Sequence, residues 1–237
     1  MSADSVADPA SGLAIGPLID ASPARRPQRA ALRGRWATVA PLDPGKDEES
    51  LFAGMHGPDK QKLWLYLAEG PFPDRDSFRA YLEKRAKSED PLSFAIVQNA
   101  SGKALGHAAY MRIVPEHRVI EVGNIFYTPM IARSTGATEA MYLMAKHVFE
   151  DLGYRRYEWK CNALNEASRR AALRLGFSFE GVFRKHMIQK NRSRDTAWYA
   201  MTDEEWPLRK ARFERWLALD NFDEAGRQRL PLSALTD

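Results

Sequence analysis

The run IEVGNIFY, residues 120–127, constrains the fold more than any other stretch of the chain, because its apolar alternation changes phase midway. Ile120 and Val122 share one face, whereas Ile125 and Tyr127 carry the pattern on the opposite parity, with Gly123 and Asn124 between them. A phase slip at a glycine predicts a β-bulge. A bulge bends a strand away from its neighbour and leaves backbone groups unpaired, open to an extended ligand. The turn at 131–136 carries Arg133, Ser134 and Thr135 and opens directly into a helix, on which Met141, Ala145, Val148 and Leu152 recur at helical spacing before Gly153 ends it. Unpaired N–H groups at a helix start attract phosphate. The three parts read as one device for an anionic ligand, although an ordinary strand, loop and helix needs no ligand at all.

At 237 residues, 44% apolar and 28% charged, the chain is expected to be a soluble globular domain with tails. A net charge of +4 is too modest to indicate nucleic acid. The single cysteine, Cys161, excludes an internal disulfide framework and fits a reducing, cytoplasmic setting. No apolar run reaches membrane-spanning length, and the N-terminus lacks the pattern of a secretory signal.

Residues 1–28, rich in Ala, Ser, Pro and Asp, are expected to be a disordered tail, 29–206 the folded domain, and 207–237 a C-terminal helix and tail packed on it. Strands are expected at 31–42, 92–98, 105–114, 120–127, 156–162, 177–189 and 196–201, with helices at 47–55, 74–87, 166–175 and 207–219 besides the one after the bulged strand. Trp64, Tyr66 and Phe72 crowd aromatic surface ahead of the breaker GPFP, either as the wall of a substrate cleft or as plain core.

The segment LNEASRRAALRLGFSFEG, together with Glu121-Val122-Gly123, Thr138-Glu139-Ala140 and Asp195, resembles the GNAT superfamily of acetyl-CoA-dependent N-acetyltransferases, most closely its RimJ/RimL-type branch. The resemblance implies an α/β, three-layer fold: a mixed, mostly antiparallel sheet of about seven strands, split by the bulged central strand, with helices on both faces. It implies that pantetheine lies in the split against the backbone of Phe126, Tyr127 and Thr128. The phosphates would rest on Arg133, Ser134, Thr135, Gly136, Ala137 and Thr138, with Asn165 and Ser168 also contacting the cofactor. The turn departs from the family pattern of Arg or Gln, then Gly, then Gly or Ala. Counted back from Thr138-Glu139-Ala140, those places hold Ala132, Thr135 and Ala137; shifted by one, Arg133 and Gly136 fill the first two. Glu139, in the first helical turn, is expected to oppose a phosphate there.

Acetyl transfer to an amine needs a neutral amine, donors for developing charge and a proton source for the leaving thiolate. The tyrosine that many relatives use as the acid is Ala172 here, and the branch resemblance offers Ser168 instead, which by itself reads as a helix-start hydroxyl beside the N-cap Asn165. Glu121 is the first candidate base and Glu158 the second, each also readable as a satisfied carboxylate of the sheet. Asp195 orients substrate or ties the last hairpin, and Arg169 and Arg170 face the phosphates or solvent. His107, His147 and His186 read as structural, and Cys161 as core. No metal-ligand spacing appears. The expected activity is acetyl transfer from acetyl-CoA to a primary amine, on a small molecule or a peptide N-terminus, by direct attack in a ternary complex. The alternative is a catalytically weak acetyl-CoA-binding or partner-binding domain of the same fold. The expected partners include neither nucleic acid nor membrane, and the chain is expected to be a monomer or homodimer.

Overall fold

A computed structural model of the chain describes residues 5–235; the first four residues of the expected tail and the last two of the C-terminal segment lie outside the described residues. Strands β1 (Val6–Ala7) and β2 (Ala14–Ile15) form a small exposed hairpin. The main sheet comprises β3 (Leu32–Arg33), β4 (Ala37–Pro41), β5 (Leu92–Gln98), β6 (Lys103–Val114), β7 (Val119–Tyr127), β8 (Arg156–Asn162), β9 (Ser178–Gln189) and β10 (Arg192–Thr202). Its spatial order is β3-β4-β5-β6-β7-β8-β10-β9. Every pairing is antiparallel except β7 with β8.

The helices are α1 (Pro44–Met55), α2 (Arg75–Lys87), α3 (Thr135–Lys146), α4 (Glu166–Arg174) and α5 (Trp206–Leu217). On one face of the sheet, α3 and α5 bury Met141, Met144, Phe213 and Trp216 against strand residues such as Val122 and Tyr157. On the other, α1 and α2 bury Leu51, Met55, Phe78 and Leu82 against Ala95 and Phe126. The expected three-layer α/β architecture is thus present, with eight strands in the sheet rather than about seven. The extra strand arises where one was expected over 31–42. There the Glu139 carboxylate accepts from the backbone N–H groups of Arg35, Trp36 and Ala37 and folds the chain into a turn between β3 and β4.

The segment expected to be a disordered tail is partly tied to the domain. Ala24 N–H donates to the Pro115 carbonyl, Arg25 N–H to that of Leu152, and the Arg26 guanidinium to that of Glu89. At the other end α5 lays Trp206, Phe213 and Trp216 into the core. Among the described residues, no helix is long and apolar enough to cross a membrane.

Candidate active site

The phase slip in β7 is a bulge, as its sequence predicts. Ala109 pairs with Gly123 and His107 with Phe126, so three steps on β7 face two on β6, and Asn124 takes a left-handed φ of 51°. His107 supports it from below. Its Nδ1 lies 2.8 Å from the Asn124 carbonyl, which can only accept, so this nitrogen carries the proton. Burial pushes the imidazole pKa down to about 4, and the ring stacks on Phe126 at 4.9 Å.

Beyond the bulge the sheet opens. Parallel pairing of β7 with β8 runs from Val119 with Arg156 to Val122 with Trp159 and no further. Thr128 N–H is bonded to the Leu105 carbonyl, and the Thr128 carbonyl accepts from Ile131 and Ala132. In an antiparallel ladder hydrogen-bonding direction alternates by residue. Phe126 and the Thr128 N–H are therefore directed to β6, and Tyr127, with Ile125 across the bulge, directs its backbone groups into the opening. Of the three residues expected to meet pantetheine, Tyr127 has this geometry, and Ile125 is the neighbour that the sequence reading missed.

The anion turn is built at the end of the same strand. Arg133 adopts φ 63° and Ser134 caps α3, its Oγ accepting from Ala137 N–H at 3.1 Å. The N–H groups of Thr135 and Gly136, in the first helical turn, have no intrahelical acceptor. They border a cavity of about 490 Å³ also lined by Arg35, Trp36 and Asn99. The buried Glu139 carboxylate is engaged by the backbone N–H groups of Arg35, Trp36 and Ala37 rather than by those of the α3 start. Thr138 is buried, and its hydroxyl accepts from Arg174 Nη2 at 2.9 Å. Arg174 forms no ion pair among the described residues, and burial pushes its pKa down. An arginine enclosed beside a helix start without a carboxylate suits a bound phosphate. These residues fit a pantetheine-diphosphate cofactor despite the unusual glycine pattern of the turn.

A second cavity, of about 430 Å³, fills the opening between β7 and β8 and is lined by Glu121, Lys160, Asn165, Ser168 and Arg194 among others. Asn165 caps α4 through Ser168 N–H at 3.1 Å, which fixes the serine at the helix head. Trp159 Nε1 donates to Ser168 Oγ at 3.0 Å, so the hydroxyl keeps its own proton to donate. Glu121 is 3% exposed; its Oε2 accepts from Arg112 Nη1 at 2.6 Å and from Lys160 Nζ at 3.0 Å. Its Oε1 lies on the Gly123 side. Lys160 also reaches Glu158 at 2.6 Å and sits 4.0 Å from the Trp198 ring centroid.

Glu158, by contrast, does not line the cavity. Burial raises its pKa, but hydrogen bonds from Lys160 and Arg156 outweigh that and leave it lowered. Asp195 accepts from Lys185 N–H at 2.7 Å and so ties the last hairpin. The aromatic trio divides. Tyr66 roofs the cleft, its hydroxyl donating to the Leu164 carbonyl at 3.2 Å. Trp64 is buried, donates to the Met55 carbonyl, and with Phe72 borders a separate apolar groove. Cys161 is buried and its thiol pKa is pushed up by that burial. Arg112, Lys160, Arg174 and Arg194 were missed in the sequence. Arg156, Glu158 and Lys160 alternate on one strand face, a pattern that reads as solvated until the strand is seen to be internal. Among the described residues, no three of His, Cys, Asp and Glu gather as a metal group.

The family model described as acetyltransferase (GNAT) domain matches residues 38–178. An uncharacterized N-acetyltransferase of Bacillus subtilis, YnaD, is 27% identical over 141 residues, spanning 60% of this chain and 81% of its own length. The crystal structure of a GCN5-related N-acetyltransferase from Brucella melitensis superposes with a TM-score of 0.88 at 46% identity, over 90% of this chain and 97% of that one. The fold is also shared with Mycobacterium smegmatis RimJ in complex with CoA-disulfide, at a TM-score of 0.64 and 19% identity over 76% and 88% of the two chains. With the bulged strand, the anion turn and the serine at the head of α4 all inside the matched span, the chain belongs to the GNAT acetyltransferase family.

Proposed function

We propose that the protein transfers acetyl from acetyl-CoA to a primary amine by direct attack in a ternary complex. The observation that carries this reading is the opening between β7 and β8, where strand pairing stops after Val122 and Trp159 and a cavity lined by Ile125, Glu121 and Ser168 begins. When bound, acetyl-CoA supplies the activated thioester carbonyl. Backbone groups of Tyr127 and Ile125 hold the pantetheine arm, and the first turn of α3, with Ser134, Thr135, Gly136 and Arg174, holds the phosphates.

Ser168 donates a hydrogen bond to the departing sulfur and stabilises it as the thiolate, keeping its own proton. Trp159, donating into the same oxygen, polarises that hydroxyl and fixes its direction. Glu121 accepts the proton of the amine at Oε1, directly or through a water, while Arg112 and Lys160 hold Oε2 and orient the carboxylate. Glu158 acts as a positioning residue for Lys160. Tyr66 closes the acceptor side, and Asp195 shapes the hairpin that flanks it.

Calorimetric titration with acetyl-CoA, followed by thiol release with a panel of primary amines and N-terminal peptides, tests the reading. Saturable binding and turnover that falls about a hundredfold in Glu121→Gln are expected. Absence of acetyl-CoA binding would sink the proposal. Binding with no turnover on any amine would favour a sensor of the same fold.

A further inference from the structure

We propose that the acceptor amine carries a carboxylate and that Arg194 receives it. This deepens the acetyl-transfer reading and rests on the cavity beside Ser168 being the acceptor site.

Arg194 stands where β10 outruns its neighbour. Thr196 pairs with Asn162, the last residue of β8, so Arg194, two residues earlier on β10, has no β8 partner and lines the cavity. The guanidinium is half-buried and is held only by neutral groups. Nε donates to Thr196 Oγ1 at 3.2 Å and Nη1 to Gln189 Oε1 at 2.6 Å, while Nη2 has no hydrogen-bond partner among the described residues. Gln189 is itself anchored, through Nε2, to the Tyr66 carbonyl at 3.2 Å. The fork is therefore fixed in direction before any ligand arrives.

Arg112 and Lys160, which also line the cavity, differ from it. Arg112 is matched by Glu121, and Lys160 lies between Glu121 and Glu158. Among the described residues Arg194 has no carboxylate within ion-pair distance, and burial disfavours its charge. Lys62, exposed at the rim, adds a second unmatched positive charge to the lining. An enclosed guanidinium with free N–H groups binds a planar carboxylate through two parallel hydrogen bonds, a geometry that an amide cannot reproduce with charge. A carboxylate held there would fix the other end of a short acceptor within the cavity that Ser168 and Glu121 share.

The test is calorimetry on the full chain in the presence of CoA, with amines supplied in matched pairs as free carboxylate and carboxamide. The series runs from α-amino acids to ω-amino acids of increasing length. At one or more lengths the carboxylate is expected to bind at least tenfold more tightly than its amide. Arg194→Gln should erase that preference, Arg194→Lys should restore part of it, and CoA affinity should stay within twofold. Equal binding of the two members in the unaltered chain at every length would overturn the proposal, as would an Arg194→Gln variant that weakens both members alike. Tighter binding of a phosphate-bearing amine than of any carboxylate would overturn the choice of anion. Arg194-dependent carboxylate binding without acetyl transfer would keep this inference and sink the transfer reading. Turnover confined to acceptors without an anionic group would do the reverse.

Discussion

Two buried glutamates separate the scaffold of this protein from its chemistry. Glu139, the fifth residue of α3, is 5% exposed and is satisfied by three backbone N–H groups at 2.7 to 2.8 Å. Glu121, in the floor of the cleft, is 3% exposed and is satisfied by two side-chain cations on one oxygen. Backbone donors cannot move or exchange, so Glu139 staples the turn between β3 and β4 to α3. The cations around Glu121 leave Oε1 for a ligand, and one of them, Lys160, shares its charge with Glu158. Equal burial therefore says little about role; the kind of donor says much more.

Glu139→Ala should produce the largest effect and a purely structural one. Three hydrogen bonds to a charged acceptor disappear and their donors lose a partner, which costs about 4 kcal/mol. Chemical denaturation should show the loss, while thiol release per folded molecule stays unchanged; a fall in turnover of the folded fraction would erase the contrast with Glu121. Ser168→Ala should behave in the opposite way. Its kcat is expected to fall about a hundredfold, the scale of one positioned proton donor, with little change in acetyl-CoA affinity. A normal kcat would remove Ser168 from the chemistry and leave it a helix-cap residue. Arg174→Met should weaken CoA about tenfold, or about 1.4 kcal/mol, and leave binding of S-acetylpantetheine, which lacks the phosphates, untouched. Equal weakening of both would make Arg174 a packing residue of α4.

The cofactor half was far more legible in the sequence than the acceptor half. The bulge and the α4 start at Asn165 follow from local rules of alternation and capping, and the structure places them at the expected positions, whereas α3 begins at Thr135 behind a Ser134 cap, inside the stretch expected to be turn. Glu139 was expected in the first helical turn, but α3 starts at Thr135, which puts it one turn further in, and its side chain reaches a loop about a hundred residues away in sequence. The ionic floor of the cleft depends on Arg112, Glu121, Lys160 and Arg194 arriving from four different strands or strand ends. No local pattern encodes that meeting. The role of Trp64 stayed open for a related reason, since an aromatic cluster beside a breaker looks alike whether it walls a cleft or fills a core.

His107 sharpens the comparison from beneath the bulge, as a buried titratable group that has neither a charge partner nor a role at the cleft. Its proton on Nδ1 holds the Asn124 carbonyl, and burial sets its pKa near about 4 against 6.5 for an ordinary histidine. Between those two values the unfolded chain binds a proton that the folded chain refuses. Stability is therefore full above pH 6.5, falls as the pH drops towards 4, and stops changing on this account below both values. At pH 6 the expected loss is about 0.8 kcal/mol, smaller than any of the preceding effects. His107→Asn keeps an N–H donor without a titrating ring, so its denaturation free energy should start lower, through the lost packing on Phe126, but vary less with pH over the same range. An unchanged slope in that variant would place the acid sensitivity elsewhere. If the slope flattens and acetyl-CoA affinity also weakens, His107 is holding the bulge in the shape that leaves the backbone of Tyr127 open.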